Sequence, residues 1–198
     1  MEEFNQSLFL LINASTHPDP IVLNAAMVAA EWLIYLIPVT LLAGWLRGSE
    51  ATRKLMLEAV VAGVLGLSIS MLCGMLWQHP RPFTIGLGTN FLAHSPDSSF
   101  PSDHLTLQWS IAFSFLMQKR LRTLGLVYGL LGLPMAWARM YLGVHYPFDM
   151  AGAAVVAAVS AGICHRYAAC YVSHLFRYAS TIYTYLFAPL IRRGWMIK

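Results

Sequence analysis

The sequence predicts an all-α fold, a polytopic transmembrane helix bundle of about five spans with short interfacial helices at its edges. Three observations carry this expectation. Only 11% of the 198 residues are charged, where a soluble domain usually carries about a quarter. Hydrophobic residues make up 58% and gather in stretches that approach the roughly 20 residues needed to cross a bilayer core. Lysine and arginine cluster between those stretches. No linker, low-complexity tract or internal repeat divides the chain, so 1–198 is expected to form one membrane-embedded domain.

Glu2 and Glu3 stand where a secretory signal would carry positive charge, so no cleaved leader is expected. Phe4, Leu8, Leu11 and Ile12 share one helical face, which predicts a short interfacial helix over 4–14. Asn13-Ala14-Ser15 fits a glycosylation sequon, a pattern frequent by chance. The first span is expected at 21–46, with a kink at Pro38. Glu31 lies inside it; an intramembrane acid marks a functional position by default, but the sequence names no partner for it.

The second span is expected at 55–77, with Glu58 near enough to its end to snorkel. The third follows at 104–118 and the fourth at 123–142. Gly125 and Gly129 in the fourth form a GxxxG pattern, which predicts close helix contact together with the small-residue face of the fifth span at 148–166. Thr181–Ile191 is apolar but short and flanked by arginines, which favours a cytoplasmic interfacial helix over a sixth span. Cys73, Cys164 and Cys170 are odd in number and lack paired spacing, so packing or inert thiols are expected rather than a disulfide framework or metal site.

The basic residues orient the bundle. Arg47, Arg53 and Lys54 lie between spans one and two, and Lys119, Arg120 and Arg122 between spans three and four. Arg166, Arg177, Arg192, Arg193 and Lys198 follow span five. Five spans place all three groups on one side, the cytoplasm. The net charge of +4 therefore reflects membrane orientation and gives no support for a nucleic-acid partner. Only Arg81 and Arg139 fall on the opposite side.

Those two exceptions stand among other polar residues. Arg81 follows span two, Pro101-Ser102-Asp103-His104 opens span three, and His145 and Asp149 flank the turn into span five. The residue types suit phosphoryl transfer. Arginine forks match phosphate geometry. Ser102 is placed to cap a helix whose free amides bind anions. One imidazole can attack phosphorus while another protonates the leaving oxygen. Asp149, four residues after His145, can hold its far ring nitrogen and fix the tautomer. His79, His94 and His165 lack such motifs and are expected to be structural or solvated. Trp137, Tyr141 and Tyr146 read as belt aromatics.

Three fragments carry a family resemblance: Gly74-x6-Arg81-Pro82, Pro101-Ser102-Asp103-His104 and Ala138-Arg139-x5-His145-x3-Asp149. They resemble the motifs Lys-x6-Arg-Pro, Pro-Ser-Gly-His and Ser-Arg-x5-His-x3-Asp of the type 2 phosphatidic acid phosphatase superfamily, whose soluble relatives include vanadium haloperoxidases. Gly74, Asp103 and Ala138 depart from the pattern, and the first departure removes one phosphate cation. The Pro-Ser-Asp-His variant, preceded by Asp97-Ser98-Ser99-Phe100, is similar to bacitracin-resistance-type undecaprenyl pyrophosphate phosphatases. That similarity runs from Leu8–Asn13 to Arg192-Arg193-Gly194-Trp195.

The resemblance implies that Arg81, Ser102, Arg139 and the amides near Asp103 and His104 cradle the terminal phosphate. It implies His145 as nucleophile, Asp149 as its orienting partner and His104 as general acid and then base. No carboxylate cluster suggests a divalent cation, so neither metal nor cofactor is expected. The implied substrate is a polyprenyl pyrophosphate lipid, undecaprenyl pyrophosphate, met in a bacterial inner membrane at a site facing the periplasm. The implied role is carrier-lipid recycling for the cell wall, with bacitracin resistance. A broader lipid phosphatase acting on phosphatidylglycerophosphate or phosphatidic acid, and a lipid phosphotransferase, would share the same residues. A small transporter or lipid-binding membrane protein would use them without a nucleophile. The sequence leaves the oligomeric state unread.

Overall fold

In a computed structural model of the chain, which describes residues 1–193, the regular elements are all helical. The first, α1, spans Glu2–Ile12. Its buried face is Asn5 and Phe9, whereas Phe4 and Leu11 of the expected apolar face are exposed. Helix α1 straps across the ends of later helices: Phe9 meets Tyr146 edge-on at 5.5 Å, and Phe148 N donates to Asn5 Oδ1. Asn13 is occupied rather than presented as a sequon. Its amide donates to the carbonyls of Thr89 and Tyr141, and its oxygen accepts from Thr89 N.

Helix α2 (Pro20–Glu31) starts where the Asp19 carboxylate accepts from Ile21 N and Val22 N, with Pro20 pre-set for the first turn. After a 3-10 turn at Leu33–Tyr35 the path continues as α3 (Leu36–Arg47). Pro38 offers no N–H to the Ile34 carbonyl and its ring crowds that oxygen. The expected bend therefore falls one turn before Pro38. Glu31 ends α2 and is exposed.

Four further long helices follow: α4 (Glu50–Leu76), α5 (Asp103–Met117), α6 (Arg122–Tyr141) and α7 (Pro147–Leu186). Four stretches are long and apolar enough to cross a membrane: Pro20–Arg47, Glu50–Leu76, Lys119–Tyr141 and Pro147–Leu186. Helix α5, the third expected span, has 15 residues and is about 22 Å long, short of the roughly 30 Å hydrocarbon core. It is the axis of the bundle, packed against α4, α6 and α7. That shielding lets it carry Thr106, Gln108, Ser110 and Ser114 on its buried face. Gln108 donates to the Tyr128 carbonyl and Ser110 meets Ser160 at 3.1 Å, so part of this polar interior is paired within the bundle.

Helix α7 has 40 residues, about 60 Å, and does not stop at 166. Hydropathy falls at His165 and Arg166, but no glycine or proline interrupts the helix between Gly162 and Pro189. Thr181–Leu186 therefore continues α7. The rest of the expected interfacial helix forms α8 (Ala188–Arg192). Gly194, Trp195 and Lys198 lie outside the described residues. The far half of α7 folds onto the start of α4, where Arg53 lies over Trp45 and Tyr183 and Lys54 over Phe176.

Two packing expectations change. Glu58 does not snorkel: it is 3% exposed and accepts from Gln118 Nε2 at 2.9 Å, with His165 Nδ1 at 3.0 Å. This cluster ties α4, the end of α5 and α7 together, and gives His165 its place. The close contact at Gly125 is with α5, not the fifth span. A Cβ there would meet Leu116 N at 2.6 Å and the Ala112 carbonyl at 2.8 Å, whereas Gly129 faces open space. Gly125→Ala should therefore destabilise the detergent-solubilised protein by about 1–3 kcal/mol, read as a lower melting temperature. Gly129→Ala should leave melting unchanged or raise it slightly.

Candidate active site

The C-terminal ends of α4 and α6 meet the N-terminal ends of α5 and α7, and the turn from α6 to α7 supplies the central residue. Gly143 has φ +86°, a left-handed conformation suited to ending a helix, and a Cβ there would strike the Thr89 carbonyl oxygen. Val144 N then donates to the Arg139 carbonyl, and Pro147 opens α7. This fixed turn carries His145 inward, 1% exposed. The five residues between Arg139 and His145 are the last turn of α6 plus this reversal.

His145 is held by a polar lock. Its Nδ1 lies 3.0 Å from the Ser99 carbonyl and 3.2 Å from Asp149 Oδ2. Both partners are acceptors, so Nδ1 carries the proton and Nε2 presents its lone pair. Asp149 Oδ2 also accepts from the Ser99 hydroxyl and from Tyr146 N at 2.7 Å. Ser99 therefore grips both members of the pair. Sequence reading missed it as a positioning residue because it lies in the irregular stretch between α4 and α5; its place beside Pro101-Ser102 was the one available signal.

Arg81 crosses the mouth of the lock. Its Nη1 donates to the Val144 carbonyl at 3.0 Å and lies 3.1 Å from His145 Nε2. Its Nε and Nη2 both meet Asp97 Oδ1 at 2.8 Å. The guanidinium covers the imidazole lone pair. Arg139 is 2% exposed, donates from Nη1 to the Ala30 carbonyl, and has no partner for Nε. Ser102 occupies the N-cap of α5, but its buried hydroxyl caps nothing and has no partner. Leaving buried polar groups unpaired is costly, and both groups can donate to an acceptor.

Asp103 opens α5. Its side chain is exposed and accepts from Ser70 Oγ at 2.6 Å, beside a cavity of about 800 Å³ also lined by Met71, Gly74 and Ser98. Only its backbone amide remains for a phosphate, because the first residue of a helix projects its side chain away from the helix start. His104 is partly buried, and among the described residues its ring has no hydrogen-bond partner. Gly74 supplies no cation, and a Cβ there would meet Ser98 Cβ at 3.3 Å. Ala138 sits in an apolar cluster with Ala26, Ala30, Leu142 and Val144.

Other expectations sort differently. Tyr146 is fully buried and packs on Phe9 and His79, so it is no belt aromatic. Trp137 and Tyr141 stack at 4.9 Å on the bundle surface. His79 is structural, with Nε2 3.2 Å from Glu2. His94 is not remote, since its ring lies 6.0 Å from that of His145. Burial, then the charges of Arg139 and Arg81 and the imidazoles of His94 and His104, hold His145 well below the usual histidine value of 6.5. A neutral imidazole at neutral pH is the form that can attack an electrophile.

The sequence profile of the PAP2 superfamily matches residues 54–173, which contain every residue of this cluster. YbjG of Escherichia coli (strain K12) is 38% identical over 99% of this chain and 98% of its own length. The chain belongs to the PAP2 superfamily. It is an enzyme of the phosphatase type. Undecaprenyl-diphosphatase BcrC of Bacillus subtilis (strain 168) is 34% identical over 78% of this chain and 79% of its own. The crystal structure of Aquifex aeolicus LpxE superposes with a TM-score of 0.65, covering 83% of this chain and 96% of that one. At 20% identity that likeness extends to the fold alone.

Two predictions follow from the PAP2 site. Ser99→Ala removes one of three donors to Asp149 and should lower kcat by about 10- to 100-fold, with melting temperature nearly unchanged. The acid limb of kcat/KM that belongs to His145 should lie below pH 6.5. Arg81→Gln removes a positive charge and makes the imidazolium easier to form. Its residual activity should therefore fail at higher pH than that of the unmutated enzyme.

Proposed function

We infer that the protein hydrolyses undecaprenyl diphosphate to undecaprenyl phosphate and inorganic phosphate through a phosphohistidine at His145. The observation that carries this reading is a buried His145 whose Nδ1 is held by Ser99 and Asp149 and whose Nε2 faces Arg81, at the helix ends that also carry the unpaired Nε of Arg139 and the unpaired hydroxyl of Ser102. Together they provide a nucleophile and two donors for a phosphate. The lipid diphosphate is supported by likeness to BcrC, named an undecaprenyl-diphosphatase, at 34% identity.

Arg81 turns from the imidazole to a phosphate oxygen, and Arg139 Nε, Ser102 Oγ and the first amides of α5 bind the other oxygens. His145 Nε2 attacks the terminal phosphorus. The bond to the bridging oxygen breaks, and His104, protonated from solvent once the bound polyanion offsets Arg139 and Arg81, gives that oxygen its proton as the lipid monophosphate leaves. Neutral His104 then takes a proton from water, whose oxygen attacks phosphohistidine. Inorganic phosphate departs and His145 regains its lone pair. Asp149 and Ser99 hold the Nδ1 proton throughout and stabilise the positive charge that the ring acquires.

The site faces the periplasm and the basic end faces the cytoplasm. Charge placement supports this orientation: Arg53, Lys54 and Arg120 gather at the end opposite the site. An outward site meets the diphosphate carrier left by cell-wall synthesis. Removing that lipid would deprive bacitracin of its target.

Purified protein in detergent should release phosphate from undecaprenyl diphosphate faster than from phosphatidic acid or phosphatidylglycerophosphate. His145→Ala should abolish release, while His104→Ala should retain a residue of activity about 10²–10⁴-fold below the unmutated enzyme. Faster release from the glycerophospholipids would favour a broader lipid phosphatase. Full activity in His145→Ala would refute the nucleophile. For orientation, a chain with its cysteines replaced and Cys introduced at Asn90 or Arg192 should be labelled from the periplasm only at the first position. Labelling of both from the same side would contradict the topology.

A further inference from the structure

The steps above leave one imidazole of the site without a task. His94 lies in the stretch between α4 and α5, three residues before the Asp97 that holds Arg81. Its ring centre is 6.0 Å from that of His145, with the planes at 78°. Its side chain is 20% exposed against 1% for His145, so it stands at the rim while His145 forms the floor. Its Nδ1 lies 3.2 Å from the Ser95 carbonyl, which makes Nδ1 the protonated nitrogen and turns Nε2 into the unassigned one. Among the described residues Nε2 has no hydrogen-bond partner.

The charged surroundings of His94 are unequal. Arg81 and Arg139 act on it as cations, His145 and His104 lie within its electrostatic reach, and Asp97 at 3.9 Å is the one carboxylate that acts on it. Burial and then Arg81 hold its pKa below the usual 6.5, with the Ser95 carbonyl and Asp97 opposing. These charges disfavour protonation of Nε2. A bound polyanion would offset the cations and favour the charged, donating form.

The geometry points to His94 as a substrate-binding residue that donates a hydrogen bond from Nε2 to the inner, lipid-linked phosphate of a diphosphate substrate. This rests on the diphosphatase reading above. The terminal phosphate belongs at the floor, beside His145, Arg139 Nε and Ser102 Oγ. The inner phosphate is one bridging oxygen further out and must lie toward the rim, where the lipid leaves the site. His94 stands there, beside His145 and within electrostatic reach of His104, the group assigned to protonate that bridging oxygen. Protonated His94 would also stabilise the charge that gathers on the inner phosphate as the bridge breaks. It would thereby favour a diphosphate over a monophosphate of the same chain.

The test compares His94→Ala with the unmutated protein on one isoprenoid chain carrying either a diphosphate or a monophosphate. The monophosphate is followed as a substrate or as a competitive inhibitor. For the diphosphate, kcat/KM should fall about 10- to 100-fold, while the monophosphate constant stays nearly unchanged. Equal losses on both lipids would mean a structural role, and no loss on either would mean no contact. Each of these outcomes overturns the proposal. If the unmutated protein fails to cleave the diphosphate, the functional reading falls, and a second measurement decides His94 by itself. In histidine-labelled protein, saturating inorganic pyrophosphate should raise the His94 pKa observed by NMR more than inorganic phosphate does. An unmoved His94, with His145 responding, would contradict the assignment.

Discussion

The Oδ2 atom of Asp149 joins the stretch before α5 to the turn before α7. It accepts from the Ser99 hydroxyl before α5 and from the Tyr146 amide before α7, and it faces His145 Nδ1. An ionic acceptor buried to this degree needs several donors to offset its lost hydration. Those donors come from two separate turns, so satisfying the carboxylate fixes the turns relative to each other. The imidazole inherits its orientation from that arrangement. Arg81 in turn reaches Val144 and His145 only because the α6–α7 reversal stands where Asp149 anchors it.

The bundle beneath supplies rigidity by two means. Small residues allow helix backbones to approach, as at Gly125 against α5 and Gly66 against Ser110 and Ser160. Buried polar contacts add direction, as where Gln118 and His165 meet Glu58 and where the Tyr128 hydroxyl reaches Thr40 and Leu36. A short central α5 suits this design. Surrounded by α4, α6 and α7, it exposes little to lipid and can carry hydroxyls toward the site end. Its start offers both a free serine hydroxyl and unpaired amides at one spot.

The helical architecture was legible because apolar length and basic clustering are properties of composition. The grouping of Arg81, Ser102, His104, Arg139, His145 and Asp149 at one end was legible for a related reason. Each lies near a predicted helix terminus, and alternating spans bring those termini together. His145 and Asp149 are also four apart, a spacing that reports contact directly. Ser99 and His94 were not legible, because the stretch between α4 and α5 has no period from which a direction can be read. Glu58 misled because its partners, Gln118 and His165, are distant in the chain. The length of α7 escaped because hydropathy marks where apolar sequence ends, not where the helix does.

The proposed chemistry turns on His145, aligned through Asp149, forming a covalent bond to the transferred phosphorus. The most direct measurement is rapid-quench trapping with a lipid diphosphate labelled in its terminal phosphate, followed by mapping of acid-labile, base-stable label by mass spectrometry. His104→Ala slows hydrolysis of the intermediate and is the background in which it should accumulate. The account predicts label on His145 alone in that variant, and none when His145→Ala is added. Label on His104 or His94, or unchanged labelling without His145, would contradict it.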